Sequence, residues 1–69
     1  MSHNSTDEIH RMCMMDLGRV PNRWEAIEWE QIQVVRWQGY TGRTLDPYAK
    51  LSPEDLKEFT SWLVKEVQA

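Results

Sequence analysis

The chain has 69 residues, one cysteine and a formal net charge of −3, with eleven acidic and eight basic side chains. This length allows one small domain, and a single cysteine excludes an intrachain disulfide. The mild acidity and the lack of a dense basic segment argue against nucleic acid as the partner.

The start of the chain is polar. Residues 1–8 contain no apolar run, which argues against a signal peptide or a transit sequence. No stretch approaches the roughly 18 uninterrupted apolar residues of a membrane span. The lone thiol of Cys13 is typical of a reducing compartment. We therefore expect a cytoplasmic protein that has no membrane partner, with a flexible segment at residues 1–4.

Residues 6–17 are predicted to form the first helix. Ser5 is the expected N-cap, and Glu8 three residues later would complete a capping box. Gly18 suits the left-handed residue that closes a helix, and Pro21 prevents its continuation. The apolar residues of the segment recur on one face at helical spacing: Ile9, Met12, Cys13 and Leu17.

Residues 23–38 are predicted to form the second helix, with Asn22 as its cap and Glu25 three residues later. Its apolar residues lie on two opposite sides. One side, which we expect to face the core, carries Trp24, Ile27, Ile32, Val34 and Val35. The other side carries Ala26, Trp29 and Trp37. Two opposed apolar sides indicate a helix packed between its neighbours, or between them and another chain. A hairpin over residues 33–45, turning at Gln38 and Gly39, is the alternative.

Residues 39–51 are predicted to form a loop, and residues 53–68 the third helix. Loops of this length are often functional. Ser52 is the expected N-cap, and Pro53 occupies the first helical position, where a missing N–H costs nothing. Leu51 and Leu56 are placed to pack against each other across the cap. The predicted core stripe consists of Leu56, Phe59, Leu63 and Val67, with Trp62 at its edge.

Candidate chemistry is sparse in this sequence. His3, His10 and Cys13 are the only soft metal ligands, whereas structural zinc sites need four. We therefore predict no metal site and no cofactor. Cys13 lies among methionines on an apolar face, where burial would keep the thiol protonated and inert. No base or phosphate-binding loop accompanies it. We predict that the protein is not an enzyme.

The aromatic and arginine residues are many for so small a core. Trp, Tyr and Arg dominate the energetics of protein interfaces. Five such residues lie around the predicted end of the second helix and the loop that follows: Trp29, Arg36, Trp37, Tyr40 and Arg43. We predict that they bind a partner protein.

The sequence thus predicts a single all-α domain over residues 1–69, a small three-helix (helix-loop-helix) fold completed by homodimerisation. Its expected function is that of a non-catalytic regulator or inhibitor, which occludes a host protein or another complex partner. A structural or assembly subunit of a larger complex and a nucleic-acid-binding regulator are the alternatives. In general character (compact, Trp-rich, without catalytic motifs) the chain is similar to the short accessory proteins that bacteriophages use against host targets.

Overall fold

Three helices make up the regular structure of the computed structural model, which describes residues 5–68 and the side chains of residues 7–68. Helix α1 spans Ser5–Leu17, α2 spans Arg23–Thr41 and α3 spans Pro53–Gln68. These 64 residues contain no strand. The predicted all-α three-helix class is confirmed, and the hairpin alternative for residues 33–45 is wrong because α2 continues through most of that segment.

The helix starts follow the predicted capping chemistry. The Asn22 side chain accepts a hydrogen bond from the Glu25 backbone N–H at 2.9 Å, and the Glu25 carboxylate accepts one from the Asn22 N–H at 3.1 Å. Ser52 Oγ accepts a hydrogen bond from the Asp55 N–H at 3.1 Å. Each of these contacts satisfies an N–H group that the helix itself leaves unpaired. The predicted flexible residues 1–4 and the predicted Ser5 cap side chain lie outside the described part of the structure.

Helix α2 ends three residues later than predicted. Gly39 is an ordinary helical residue, and Gly42 (φ +79°) adopts the left-handed conformation that closes the helix. The backbone N–H of Arg43 donates to the Gln38 carbonyl at 2.8 Å, which completes the closure. A glycine is tolerated within the last helical turns, so the first of two glycines does not have to be the terminator. The loop therefore comprises residues 42–52.

The core lies where all three helices meet, and α1 packs most extensively on α3. Phe59 and Leu63 of α3 are completely buried, and half-buried Leu51, Leu56 and Val67 pack around the cluster, which confirms the predicted α3 stripe. The buried hydrophobic cluster of the core consists of Ile9, Met12, Cys13, Trp29, Val34, Trp37, Phe59 and Leu63. The predicted inward face of α1 is also confirmed, with Leu17 partly buried at its edge.

The predicted core face of α2 is wrong for most of its residues, and only Val34 among them is buried. Trp24, Ile27 and Ile32 were expected inside, but their side chains are 75%, 42% and 51% exposed. Trp29 and Trp37, expected on the opposite side, are 7% and 1% exposed. Apolar residues surround α2, so helical spacing alone does not select its inward face.

Two partners explain why the buried tryptophans face inward. The Trp29 indole N–H donates to Asp16 Oδ2 at 2.8 Å, so the ring is buried without leaving its polar group unpaired. The Trp37 ring meets Phe59 edge to face, with ring centroids 5.8 Å apart. These two large rings also remove more apolar area from water than the isoleucines of the other side would.

Candidate protein-binding surfaces

The five residues predicted to bind a partner divide into two groups. Trp29 and Trp37 lie in the core, where they offer almost no surface to a partner, and their predicted role in binding stays a prediction. Arg36 and Tyr40 are exposed, with Tyr40 at 74%, and Arg43 is partly exposed. The structure thus brings only some of the set to the surface.

Arg43 uses its guanidinium within the chain. The group lies 4.4 Å from the centre of the Trp37 ring and pairs with Asp55 at 2.7 Å and Glu58 at 3.5 Å. A cation over the face of a tryptophan is attracted by the ring's negative π surface. Because these contacts join the loop to the start of α3, Arg43 positions the loop, and its predicted role in partner binding stays a prediction.

Arg36 and Tyr40 meet Trp62, and we call these three residues the aromatic platform. The Tyr40 and Trp62 ring centroids are 6.1 Å apart, and the Arg36 guanidinium lies 5.6 Å from the centre of the Trp62 ring. Trp62 also stacks on buried Phe59 at 6.3 Å. An open depression of about 290 Å³ lies beside the platform and is lined by Trp37, Tyr40, Thr41, Glu58, Ser61, Trp62 and Lys65.

Sequence reasoning placed Trp62 at the edge of the core stripe and did not include it among the partner-binding residues. Trp62 is half-buried, with one part of the ring on Phe59 and another towards Tyr40. The sequence feature that could have identified Trp62 as a surface residue is its place at the edge of an apolar stripe, beside a charged helix face. A tryptophan at such a boundary is well placed to contribute to both core and surface.

The second candidate surface is the α2 outer face, which we define as Trp24, Ile27, Glu28, Gln31, Ile32 and Val35. Ile32 forms a ridge between two shallow depressions. One, of about 350 Å³, is lined by Glu28, Gln31, Ile32, Val35, Arg36 and Pro47. The other, of about 200 Å³, is lined by Leu17, Glu25, Glu28, Trp29 and Ile32. Sequence reasoning assigned most of this face to the core, so it was missed as a surface.

Gln38 fixes the loop that borders both surfaces. Its side chain is 3% exposed, donates to the Asp46 carbonyl at 2.8 Å and accepts from the Asp46 N–H at 2.7 Å. The Asp46 carboxylate in turn accepts from the Tyr48 N–H at 3.0 Å, and the Ala49 N–H donates to the Asp46 carbonyl at 3.2 Å. The buried Gln38 amide thus ties the middle of the loop to α2, and Pro47 lies against α2.

The cleft between α1 and α2 brings together His10, Cys13 and Glu30. Burial raises the pKa of the Cys13 thiol, and nearby Asp16 raises it further. Burial also raises the pKa of Glu30. A thiol with a raised pKa stays protonated near neutral pH and is a weak nucleophile. The described residues contain no cluster of three or more His, Cys, Asp or Glu side chains suited to a metal ion; His3 lies outside them.

No family model matches the chain, and neither a curated protein nor a solved structure is significantly similar to it. Within residues 5–68, no helix is both long enough and apolar enough to cross a membrane.

Proposed function

We propose that the protein is a non-catalytic regulator or inhibitor that binds a partner protein through the aromatic platform and acts by occluding the surface it covers. The observation that supports this most is the mutual contact of Arg36, Tyr40 and Trp62 at the protein surface. These are the three residue types most enriched among the residues that dominate protein interfaces.

The rigidity of the platform supports the same function. Trp62 stacks on Phe59, which is completely buried, so the core fixes the ring before any partner arrives. A side chain that is already ordered loses little conformational freedom on binding, and more of its contact energy therefore appears as affinity.

The chemistry around the platform suggests what the partner presents. Lys65 lines the adjoining depression, and neither Lys65 nor Arg36 forms an ion pair with the described residues. An apolar side chain would fill the depression, and a neighbouring carboxylate would meet these two cations. We therefore expect a partner segment that combines an apolar or aromatic residue with an acidic one.

Matched tyrosine variants test this proposal. Tyr40 and Tyr48 are similarly exposed, at 74% and 78%, but only Tyr40 belongs to the platform. We expect a protein captured from cells of the source organism by the wild-type chain to be lost with Tyr40→Ala and kept with Tyr48→Ala. A photo-crosslinking residue at position 40 should join to the same protein. Equal capture by both variants would contradict the platform as the binding site.

A structural or assembly subunit is the second candidate, and the exposed α2 outer face favours it. A subunit of this kind should be poorly soluble alone and should bind apolar dyes, whereas a regulator should be well folded in isolation. Dye binding and helicity of the purified chain distinguish the two.

Nucleic acid remains an alternative partner because aromatic rings beside arginine can stack on bases. Labelled single-stranded DNA and RNA at low salt provide the test. Binding that falls steeply as salt rises, and that is lost with Tyr40→Ala, would replace the protein partner with a nucleic acid.

A further inference from the structure

We propose that the α2 outer face is the interface of a two-fold homodimer, in which the α2 helices of two copies pack antiparallel with Ile32 at the symmetry axis. This inference goes beyond the proposed function, and it concerns a face of α2 that adjoins the aromatic platform and shares Arg36 with it. The occupant of the face is a second copy of this chain.

The exposed apolar side chains of this face favour association with another protein surface. Trp24, Ile27 and Ile32 of α2 are 75%, 42% and 51% exposed. Ile27 also lines the cleft towards α1, and Ile32 lies beside Leu17 and Pro47, but all three side chains remain exposed. Contiguous apolar side chains on one side of a small domain mark an association surface. A domain of this length also gains from burying further apolar area in a dimer.

The charges of the face are arranged for self-association. Glu28, Ile32 and Arg36 follow one another at four-residue spacing, so they form a single ridge along the helix. A two-fold axis through Ile32, perpendicular to the helix, places Glu28 of one copy opposite Arg36 of the other, and the reverse. A two-fold interface uses the same patch on both copies, so the patch must be complementary to itself. This ridge meets that condition.

Both charged groups are available for these contacts. Glu28 and Arg36 are exposed, and neither forms an ion pair with another described residue. The Arg36 guanidinium donates to the Gln33 side chain through one nitrogen, at 2.8 Å. Since a guanidinium carries five N–H donors, several remain for a carboxylate. A parallel arrangement would instead place Glu28 against Glu28, so the charges select the antiparallel one.

The shape of the face fits the same arrangement. Ile32 stands between the depressions of about 350 Å³ and about 200 Å³. When the four-residue ridges of two helices pack together, the ridge of one lies in the groove beside the ridge of the other. At the axis the two Ile32 side chains would lie side by side, each next to a depression of the partner copy, and one Trp24 would lie at each end of the contact.

Charge exchange provides the test, with the mass of the full-length chain measured by light scattering and sedimentation. The dilution series runs from roughly 1 mM to roughly 1 µM, which brackets the weak affinity of an interface below about 1,200 Å². We expect wild-type protein to reach twice the mass of the chain. Glu28→Arg alone and Arg36→Glu alone should each weaken association at least about tenfold, because like charges then face each other.

The decisive samples are those in which opposite charges face each other again. An equimolar mixture of Glu28→Arg and Arg36→Glu chains should form a heterodimer, and the double variant should form a homodimer again. Ile32→Asp should remain monomeric, while Tyr48→Ala should match wild type; circular dichroism verifies that each variant is folded. A wild-type chain that stays monomeric throughout overturns the proposal, as does a mixture that gains no association. Partner capture by folded Ile32→Asp remains measurable, so failure of the dimer is separable from failure of the proposed function.

Discussion

At the residue scale, Gln38 makes more structural hydrogen bonds than is usual for a glutamine on a helix. Its buried amide pairs with both backbone groups of Asp46, while its own carbonyl accepts the helix-closing bond from Arg43. Nothing in the spacing of the sequence distinguishes this glutamine from Gln31 or Gln33, because its partners lie eight residues away in a loop. Tertiary side-chain to backbone contacts of this kind are not readable from local patterns.

Gln38→Ala is expected to lower the free energy of unfolding by about 1–3 kcal/mol, because two buried backbone groups of Asp46 lose their partner. Urea denaturation followed by circular dichroism measures the change. Gln68→Ala, at an exposed position near the end of α3, is the matched control. A loss below about 0.5 kcal/mol for Gln38→Ala, comparable with ordinary surface substitutions, would show that water replaces the amide without cost.

The two glycines near the end of α2 should respond in opposite directions. Gly39 is helical, and an added Cβ would meet Leu45 at 3.7 Å, an ordinary contact, so Gly39→Ala should stabilise the protein by about 0.5–1 kcal/mol. Gly42 has φ +79°, so Gly42→Ala should destabilise it by about 1–2 kcal/mol. Thermal denaturation of the pair compares the signs directly. Stabilisation by Gly42→Ala would place the helix end elsewhere.

At the element scale, the sequence predicted the helix bounds closely, except for the end of α2, but it did not predict the inward face of α2. Capping boxes and N-caps are local, so Asn22 with Glu25, and Ser52, were identified correctly. Helix α3 was correct at both ends because its apolar residues form one stripe. The prediction for α2 was wrong at its end and for most of its inward face. Either of two glycines could have ended the helix, and either of two apolar sides could have faced the core, so the local sequence did not distinguish them. Of the three residues of the aromatic platform, the predicted partner-binding set contained Arg36 and Tyr40 but not Trp62.

The start of α2 should give the protein an acid-sensitive contribution to stability. Hydrogen bonds from Arg19 and from the Asn22 backbone lower the pKa of Glu25 from 4.5 to about 2. A folded-state pKa below the unfolded value means that this contribution is complete above about pH 4.5 and is lost as the pH falls towards 2. Below pH 2 both states bind the proton and the contribution is gone.

Glu25→Gln should remove this part of the pH dependence and keep much of the capping box, since glutamine can also accept from the Asn22 N–H. Denaturation midpoints measured from pH 5 to pH 2 should therefore fall less steeply for the variant than for wild type. Glu66→Gln, exposed on α3, controls for a general change in net charge. Equal slopes for wild type and Glu25→Gln would contradict an ionised Glu25 at the start of the helix.

At the scale of the whole molecule, a single small core supports two different surfaces. The aromatic platform lies where α2 and α3 meet, and the α2 outer face lies along one side of α2. Trp37 contacts Phe59, and Phe59 in turn stacks on Trp62, so these rings link the core to the platform. The core contains few buried side chains, so the loss of one large ring should destabilise the entire domain.

Trp37→Ala should cost about 3–5 kcal/mol, comparable with Phe59→Ala, and should unfold a domain of this size. Trp24→Ala removes an exposed ring and should change stability by less than about 0.5 kcal/mol when measured at a concentration where the chain is monomeric. Helicity by circular dichroism distinguishes the variants at once. A folded Trp37→Ala chain would reverse the inward and outward faces assigned to α2.

Because Cys13 is buried, the rate at which its thiol reacts can be used to measure transient opening of the protein. Cys13 is the sole cysteine of the chain and is 2% exposed, so a thiol reagent reaches it only when α1 separates from its neighbours. Where closing is faster than labelling, the modification rate follows the population of open molecules. Each loss of about 1.4 kcal/mol should then accelerate labelling about tenfold. Stabilities of the variants could be ranked in native buffer, without denaturant, from one rate each.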